Sequence, residues 1–504
     1  MPGVFSKSAR PARPGAYFDW ASVPVSTILP NIGSVVLVAI THDWGPAGTV
    51  VSCGSLGDFQ AAFGMTTLIG GAPAPGYAAV KQCFKGEGLA GRGGAGTVLV
   101  YRMVGTSGKA ATITIQNTTP ANALSLTAKY PGAFGNQIGF KSHVNAADAT
   151  KNDLQIWVAG QMVEVYTYTK ATISSLVTQI NDPIAGSDWV TATLILDGTA
   201  LPVTTTPDTV TSLATGDSGS TLVQQDWVNM TNGVTGARFS LFAGYDVTDP
   251  TTLTALQGWC SNANVTGHRF MMVCGGAASD TAVTAIARSA SIVTASQAAG
   301  TSGENTVNLG VGSLYDSDLG ATLSTSQLAP RVAGILAARG ESMSITFARL
   351  ADTSAGVLPI DSDVTKCFNG GVVVFGQDSN PDSPIRIEKG LTCYIGGDST
   401  KPYLIYRQPK FMRTMHGIEL DITEWAASNA IGSLQVNDAT RAFIVGYAHS
   451  AIQARADRGV IQTGFSVGID PIPPPSDDDE FVALLYGIAF GRSVEQIYNL
   501  VYIS

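Results

Sequence analysis

The stretch R269-F-M-M-V-C-G-G276, followed after two alanines by S279-D-T-A-V-T-A-I-A-R-S-A-S-I-V-T-A-S-Q-A-A299, sets the architecture of this chain. Five consecutive apolar residues, Phe270 to Cys274, followed by a pair of glycines, predict a short strand buried on both faces. The following segment, rich in alanine and free of glycine and proline, predicts a helix of about five turns. The same alternation recurs on both sides. LFAGYD leads into a helix over DPTTLTALQGWCSNA with Pro250 in its first turn, LAPRVAGILAARG predicts a further helix, and GGVVVFG a further strand. Strands alternating with helices predict an α/β layer with a mostly parallel sheet over residues 236–395.

Working outward, residues 31–105 extend that layer. SVVLVAI reads as a buried strand, Leu56 to Phe63 as a short helix stopped by Gly64, Tyr77 to Phe84 as a second helix, and TVLVYRMV as a strand. Between 106 and 235 the composition shifts to Thr, Ser, Asn and Gly. ATITIQ, LQIWVAG, VEVYTYT, WVTATLIL and LPVTTT alternate apolar and polar residues, with one helix, ATISSLVTQIN, among them. That pattern predicts an inserted β-sandwich domain.

Residues 396–504 read as a C-terminal α+β domain. Strands are expected around CYIGG and LIYRQ, then a helix over HGIELDITEWAASNA and another from Asp438 to Arg458, capped by Asn437 and ended by Gly459. Pro471 to Pro475 and the acidic run Asp477 to Glu480 form a solvated loop. FVALLYGIAF and IYNLVYIS follow as extended segments, the second reaching Ser504. Chain ends fray unless something ties them down. This apolar end therefore belongs either to an internal sheet or to a neighbour's. Residues 1–30 carry Pro2, Pro11, Pro14, Pro24 and Pro30 and read as an extended arm, with the aromatic segment Ala16 to Trp20 inside it.

Composition narrows the function. The chain is 504 residues long, 45% hydrophobic and only 13% charged, which suggests a surface largely covered by partners. A net charge of −9 argues against a nucleic-acid binder. Apolar runs are too short to insert in a membrane, and the six scattered cysteines read as buried reduced thiols. Several stretches imitate catalytic motifs. Gly216-Asp217-Ser218-Gly219 matches the surroundings of a protease nucleophile, yet none of the five histidines has a matching context. GEGLAG (86–91) and GRGGAG (91–96) follow a helix and enter a strand, the reverse of a dinucleotide-binding turn. Gly108-Lys109-Ala110 lacks the hydroxyl a P-loop needs for magnesium. No catalytic residue, cofactor or metal is expected.

Three stretches together resemble the contractile tail sheath family of myoviruses and related injection machines. They are Ala128-Lys129-Tyr130-Pro131-Gly132-Ala133-Phe134-Gly135-Asn136 with the VYRMVGTSGKAATITI before it, Arg13-Pro14-Gly15-Ala16-Tyr17, and LAPRVAGILAARGESMSITFARL with the closing EQIYNLVYIS. The resemblance implies a subtilisin-like but non-catalytic central α/β layer. It implies a structural subunit that stacks as hexameric rings in a helical sheath around an inner tail tube, with baseplate and tail terminator proteins as further partners. Contraction would drive the tube through a host envelope for genome ejection, and the protein would be assembled in the host cytoplasm and carried in the virion. It also implies strand donation between subunits by Gly15, Ala16, Tyr17, Phe18, Asp19 and Trp20, and by Ile497, Tyr498, Asn499, Leu500, Val501, Tyr502 and Ile503. Phe481 to Phe490 would receive a donated strand. On the Asp438 to Arg458 helix, Arg441, Arg455 and Arg458 would face the tube. The sheath of a capsid-free injection system, a self-assembling shell and a serine hydrolase using Ser218 are the alternative readings.

Overall fold

The computed structural model describes residues 34–64, 67, 71–89, 93–203, 209–378, 383–399, 401–470, 482 and 484–492. At its centre lies a seven-stranded sheet. Its strands run in the order Val372–Val373, Thr306–Leu309, Met271–Cys274, Leu241–Gly244, Val35–Thr41, Thr97–Met103, Val50–Cys53. Neighbours are parallel except the last pair, in which Val50–Cys53 runs antiparallel to Thr97–Met103.

The strand Val35–Thr41 shows why the wholly apolar runs fold this way. Val36, Val38 and Ile40 enter one core with Val80, Cys83, Val332 and Leu336, from the helices Pro75–Lys85 and Ala329–Arg339. Leu37 and Ala39 enter the core on the other face. There they meet Trp227 and Met230 of Gln224–Gly233, Leu253 and Leu256 of Pro250–Val265, and Ile292 of Ala282–Gln297. Successive side chains point to opposite faces, so a strand covered on both sides must be apolar at every position.

Local signals fix the helix ends. Ser55 caps Leu56–Phe63 by accepting from the Asp58 amide, and Gly64 closes it at φ +71°. Asp249 caps Pro250–Val265 by accepting from the Thr252 amide, with Pro250 in the first turn, as its sequence predicts.

Between Thr97–Met103 and Leu241–Gly244 the chain builds two antiparallel sheets. One has the order Thr112–Gln116, Asn122–Ala128, Val190–Leu194. The other has the order Thr211–Ser212, Ile138–Val144, Lys151–Val158, Gln161–Thr169. Leu124, Leu126, Leu154, Ile156 and Tyr168 share one core with Ile173, Leu176 and Ile180 of the helix Ile173–Ile180. Burial alternates residue by residue along Lys151–Val158, the mark of a sheet with one packed face.

Two sequence expectations fail, and a third is covered only in part by the described residues. LPVTTT forms no strand over residues 201–203, and 204–206 lie outside the described residues. CYIGG forms no strand and is irregular, with bends at Cys393 and Gly396. The first three residues of LIYRQ lie in the helix Tyr403–Tyr406, whose first turn closes through hydrogen bonds from the Ile405 and Tyr406 amides to the Pro402 carbonyl, at 3.0 and 3.1 Å, and Arg407 and Gln408 follow it without strand structure. The aromatic and β-branched side chains that suggested strands instead form a cluster of Tyr394 with Tyr403 and Tyr406.

Candidate assembly site

The C-terminal region is built around two long helices. Pro409–Asn429 begins with proline in its first turn and buries Phe411, Met412 and Arg413. The Arg413 guanidinium donates to the carbonyls of Leu336 and Gly340, the latter at 3.1 Å. A cation thus meets the carbonyl end of Ala329–Arg339, where the helix dipole favours it. Asp438–Asp457 begins where Asn437 accepts from the Thr440 amide at 2.9 Å, and Gly459 turns the chain away at φ +71°.

Beyond that turn the chain forms a small sheet against the second helix. Ser466–Ile469 pairs antiparallel with Leu484–Gly487, in the register Ser466 to Gly487 and Ile469 to Leu484. Val467, Tyr486 and Ile488 pack on Ile418, Ile452, Val460 and Ile461. Below the ladder, the Gln462 amide donates to the Ala489 carbonyl at 2.7 Å and the Gly491 amide to the Val460 carbonyl at 2.9 Å. Lys410 Nζ donates to the Gly491 carbonyl at 2.8 Å, tying this end of the chain to the first helix.

A two-stranded sheet is only marginally stable by itself. Among the described residues neither strand has a partner on its outer edge, and Leu485 is 54% exposed. Main-chain donors and acceptors arranged this way form a template for an added strand. The receiving segment proposed from sequence therefore contains a strand, Leu484–Gly487, although Phe481 itself lies outside the described residues. The partner strand Ser466–Ile469 is absent from the sequence reading, because four residues of SVGI carry too little pattern. Both candidate donor segments, Gly15 to Trp20 and Ile497 to Ile503, lie outside the described residues.

The three arginines of the second helix occupy different settings. Arg455 is 4% exposed, and its guanidinium holds Glu341 Oε2 and Asp421 Oδ2, each at 2.8 Å. It ties the two C-terminal helices to the end of Ala329–Arg339. The flanking carboxylates raise its pKa against the effect of burial. Arg441, beside Asp438 at 3.5 Å, and Arg458, 3.9 Å from Glu341, both reach solvent.

The catalytic lookalikes resolve into structural joints. Ser218 Oγ donates to the Asp43 carboxylate and accepts from the Ala133 amide at 3.2 Å; no histidine hydrogen-bonds it among the described residues. Gly216 exchanges two bonds with the Asn136 side chain, at 2.8 and 2.9 Å. The GDSG stretch and the YPGAFGN corner are thus packed together. Gly132 sits at φ +150°, where a Cβ would lie 1.8 Å from the Asp43 carbonyl oxygen. Arg102, fully buried on the central sheet, donates to the carbonyls of His42, Gly45 and Pro131 at 2.7, 2.6 and 2.6 Å. Trp44 packs on Tyr130, Phe134 and Trp189. This junction fastens the inserted sandwich to the sheet.

The glycine loop after Pro75–Lys85 is held in a similar way. Arg331 Nε donates to the Gly86 carbonyl at 2.7 Å, and its Nη1 pairs with buried Asp316 at 3.0 Å. No helix among the described residues is long and apolar enough to cross a membrane.

The whole fold has close counterparts among solved structures. The sheath tail protein of Desulfitobacterium hafniense superposes with a TM-score of 0.66 at 18% identity, covering 94% of this chain and all of that one. The fold is that of tail sheath proteins. The sheath tail protein of Listeria innocua gives a TM-score of 0.62 at 18% identity, over 91% of this chain and 96% of that one. The helical sheath of the anti-feeding prophage in its contracted state gives 0.53 at 12% identity, over 98% and 99%. In sequence, the phage-like element PBSX protein XkdK of Bacillus subtilis (strain 168) is 26% identical over 208 residues, 39% of this chain and 40% of that protein. No protein-family profile matches. Set on the tail-sheath fold, the two-stranded sheet lies in the last of the described elements, and the sandwich is the excursion between Thr97–Met103 and Leu241–Gly244.

Proposed function

We propose that this protein is the structural subunit of a contractile tail sheath. The observation that carries the reading is a sheath-tail likeness extending over 94% of the chain instead of over one layer of it. Copies would polymerise as stacked hexameric rings around an inner tail tube, bounded by baseplate and tail terminator proteins. Contraction would drive the tube through a host envelope to eject a genome. The particle would be a virion assembled in the host cytoplasm, or a capsid-free injector of the kind the anti-feeding prophage likeness suggests. The central layer would be a subtilisin-like fold without protease chemistry.

Subunits would be joined by strand addition. The edges of Ser466–Ile469 and Leu484–Gly487 that have no partner among the described residues would supply main-chain groups for Gly15 to Trp20 or Ile497 to Ile503 of neighbouring copies. Such links hold while subunits rotate past one another. Arg441 and Arg458 are the residues of the last helix free to meet acidic groups on a tube, whereas Arg455 supports the helix from within.

Negative-stain electron microscopy of the purified full-length protein tests the proposal. Hollow, helically striated tubes are expected, from the protein alone or on co-expression with the adjacent tube gene. Monodisperse small particles under both conditions would overturn it.

A further inference from the structure

A cavity of about 400 Å³ opens between the helices Pro250–Val265 and Ala282–Gln297, beyond the end of the strand Met271–Cys274. Crevices at the carboxyl ends of parallel strands are where α/β sheets hold ligands. The proposed assembly role leaves this one unused. Its wall is apolar at Pro250, Leu253 and Ile292. One charged donor also lines it.

That donor is Arg288. Its Nε donates to Asn308 Oδ1 at 2.7 Å, and its Nη2 donates to Asp280 Oδ2 at 2.7 Å and to the Leu309 carbonyl at 2.8 Å. These three bonds lock the guanidinium and leave Nη1 with no hydrogen bond among the described residues. Gly276 keeps the place beside it clear. A Cβ there would stand 2.4 Å from Nη1 and 2.2 Å from Asp280 Oδ2. The glycine backbone is itself fixed by Thr325, whose Oγ1 accepts from the Gly276 amide at 2.9 Å and donates to its carbonyl at 3.1 Å.

Charge decides what such a site takes. Asp280 already neutralises Arg288, and its other oxygen accepts from the Thr284 hydroxyl. A carboxylate brought here would be a third, unbalanced charge in a partly desolvated place, which is costly. A neutral carbonyl oxygen satisfies the free N–H without adding charge. We propose that this cavity binds a small neutral molecule with an apolar body and a carbonyl oxygen, the oxygen accepting from Arg288 Nη1 and the body lying against Pro250, Leu253 and Ile292.

Saturation-transfer difference NMR on the full-length protein, with benzamide and benzoate as probes, tests this. Benzamide should give a saturable signal, and benzoate a markedly weaker one. Gly276→Ala sets a Cβ against the ends of Arg288 and Asp280 and displaces them from this arrangement, so, with folding checked by circular dichroism, it should weaken benzamide binding by about fivefold or more. Arg288→Met, with folding checked by circular dichroism, should do the same. No benzamide signal from the wild type, equal binding of benzoate, or full binding by either folded variant would overturn the proposal.

Discussion

Among single residues, the junction beneath the inserted sandwich makes the sharpest claim about pH. His42 is buried with its Nδ1 unpartnered, and burial together with neighbouring Arg102 lowers its pKa to about 4, only partly opposed by Asp43. The unfolded chain takes up that proton near pH 6.5, before the folded one does. Stability from this group is therefore complete above pH 6.5 and falls as the pH drops towards 4, by about 2 kcal/mol at pH 5. Thermal melts at pH 7.5 and 5 should show the loss in the wild type, and His42→Gln should flatten it. An unchanged pH response in the variant would refute the assignment. Arg455 makes a separate claim. Arg455→Ala leaves Asp421 without its cation and Glu341 with the more distant Arg458, and should cost about 1–3 kcal/mol, the lower end reflecting the solvent access of both partners. Urea unfolding of the unassembled protein measures it. Arg441→Ala, at an exposed i,i+3 pair, should fall within about 0.5 kcal/mol of the wild type.

At the scale of elements, the small C-terminal sheet separates folding from association. A proline at Gly468 or Leu485 removes a backbone N–H from a strand that has one neighbour among the described residues. Both residues turn away from the helix-packed face, so the apolar contacts of Val467 and Tyr486 should persist. The expected result is soluble protein with near-native circular dichroism that forms no filaments; normal filaments from both variants would argue against strand addition there. The elements legible in the sequence were those with long, strongly marked patterns. The buried strands of the central sheet, the helices with Ser55, Asp249 and Asn437 at their starts, and the Gly459 stop all follow from local chemistry. Val50–Cys53, Asn122–Ala128, Ile138–Val144 and the short strands Ser313–Asp316, Ala321–Ser324 and Thr353–Val357 do not stand out. Several span only four or five residues and depend on partners distant in sequence. The clamp at Arg455 was equally invisible, because Glu341 lies 114 residues away. The edge of the candidate assembly sheet was readable on one strand alone, where Leu, Tyr and Ile mark it.

For the whole molecule, the low charge content of the chain and the sheet whose outer edges have no partner among the described residues both fit the proposed assembly. Deleting residues 1–20 or 497–504 should leave folded subunits that fail to polymerise, as judged by sedimentation and electron microscopy. Filaments of normal morphology from either deletion would count against that terminus as a donor. The route of the chain through the sandwich suggests one more manipulation. It leaves at Gly105 and returns at Gly219, where the Gly105 amide donates to the Gly219 carbonyl at 2.8 Å. The doorway is one hydrogen bond wide, so the 113 residues between its posts behave as a plug-in cassette. Replacing 106–218 with a short glycine-serine turn, and Trp44 with serine where its aromatic cover is lost, should yield a trimmed protein that still folds around its seven-stranded sheet. By the same geometry, a foreign domain with adjacent termini could ride in that socket on every copy of an assembled tube.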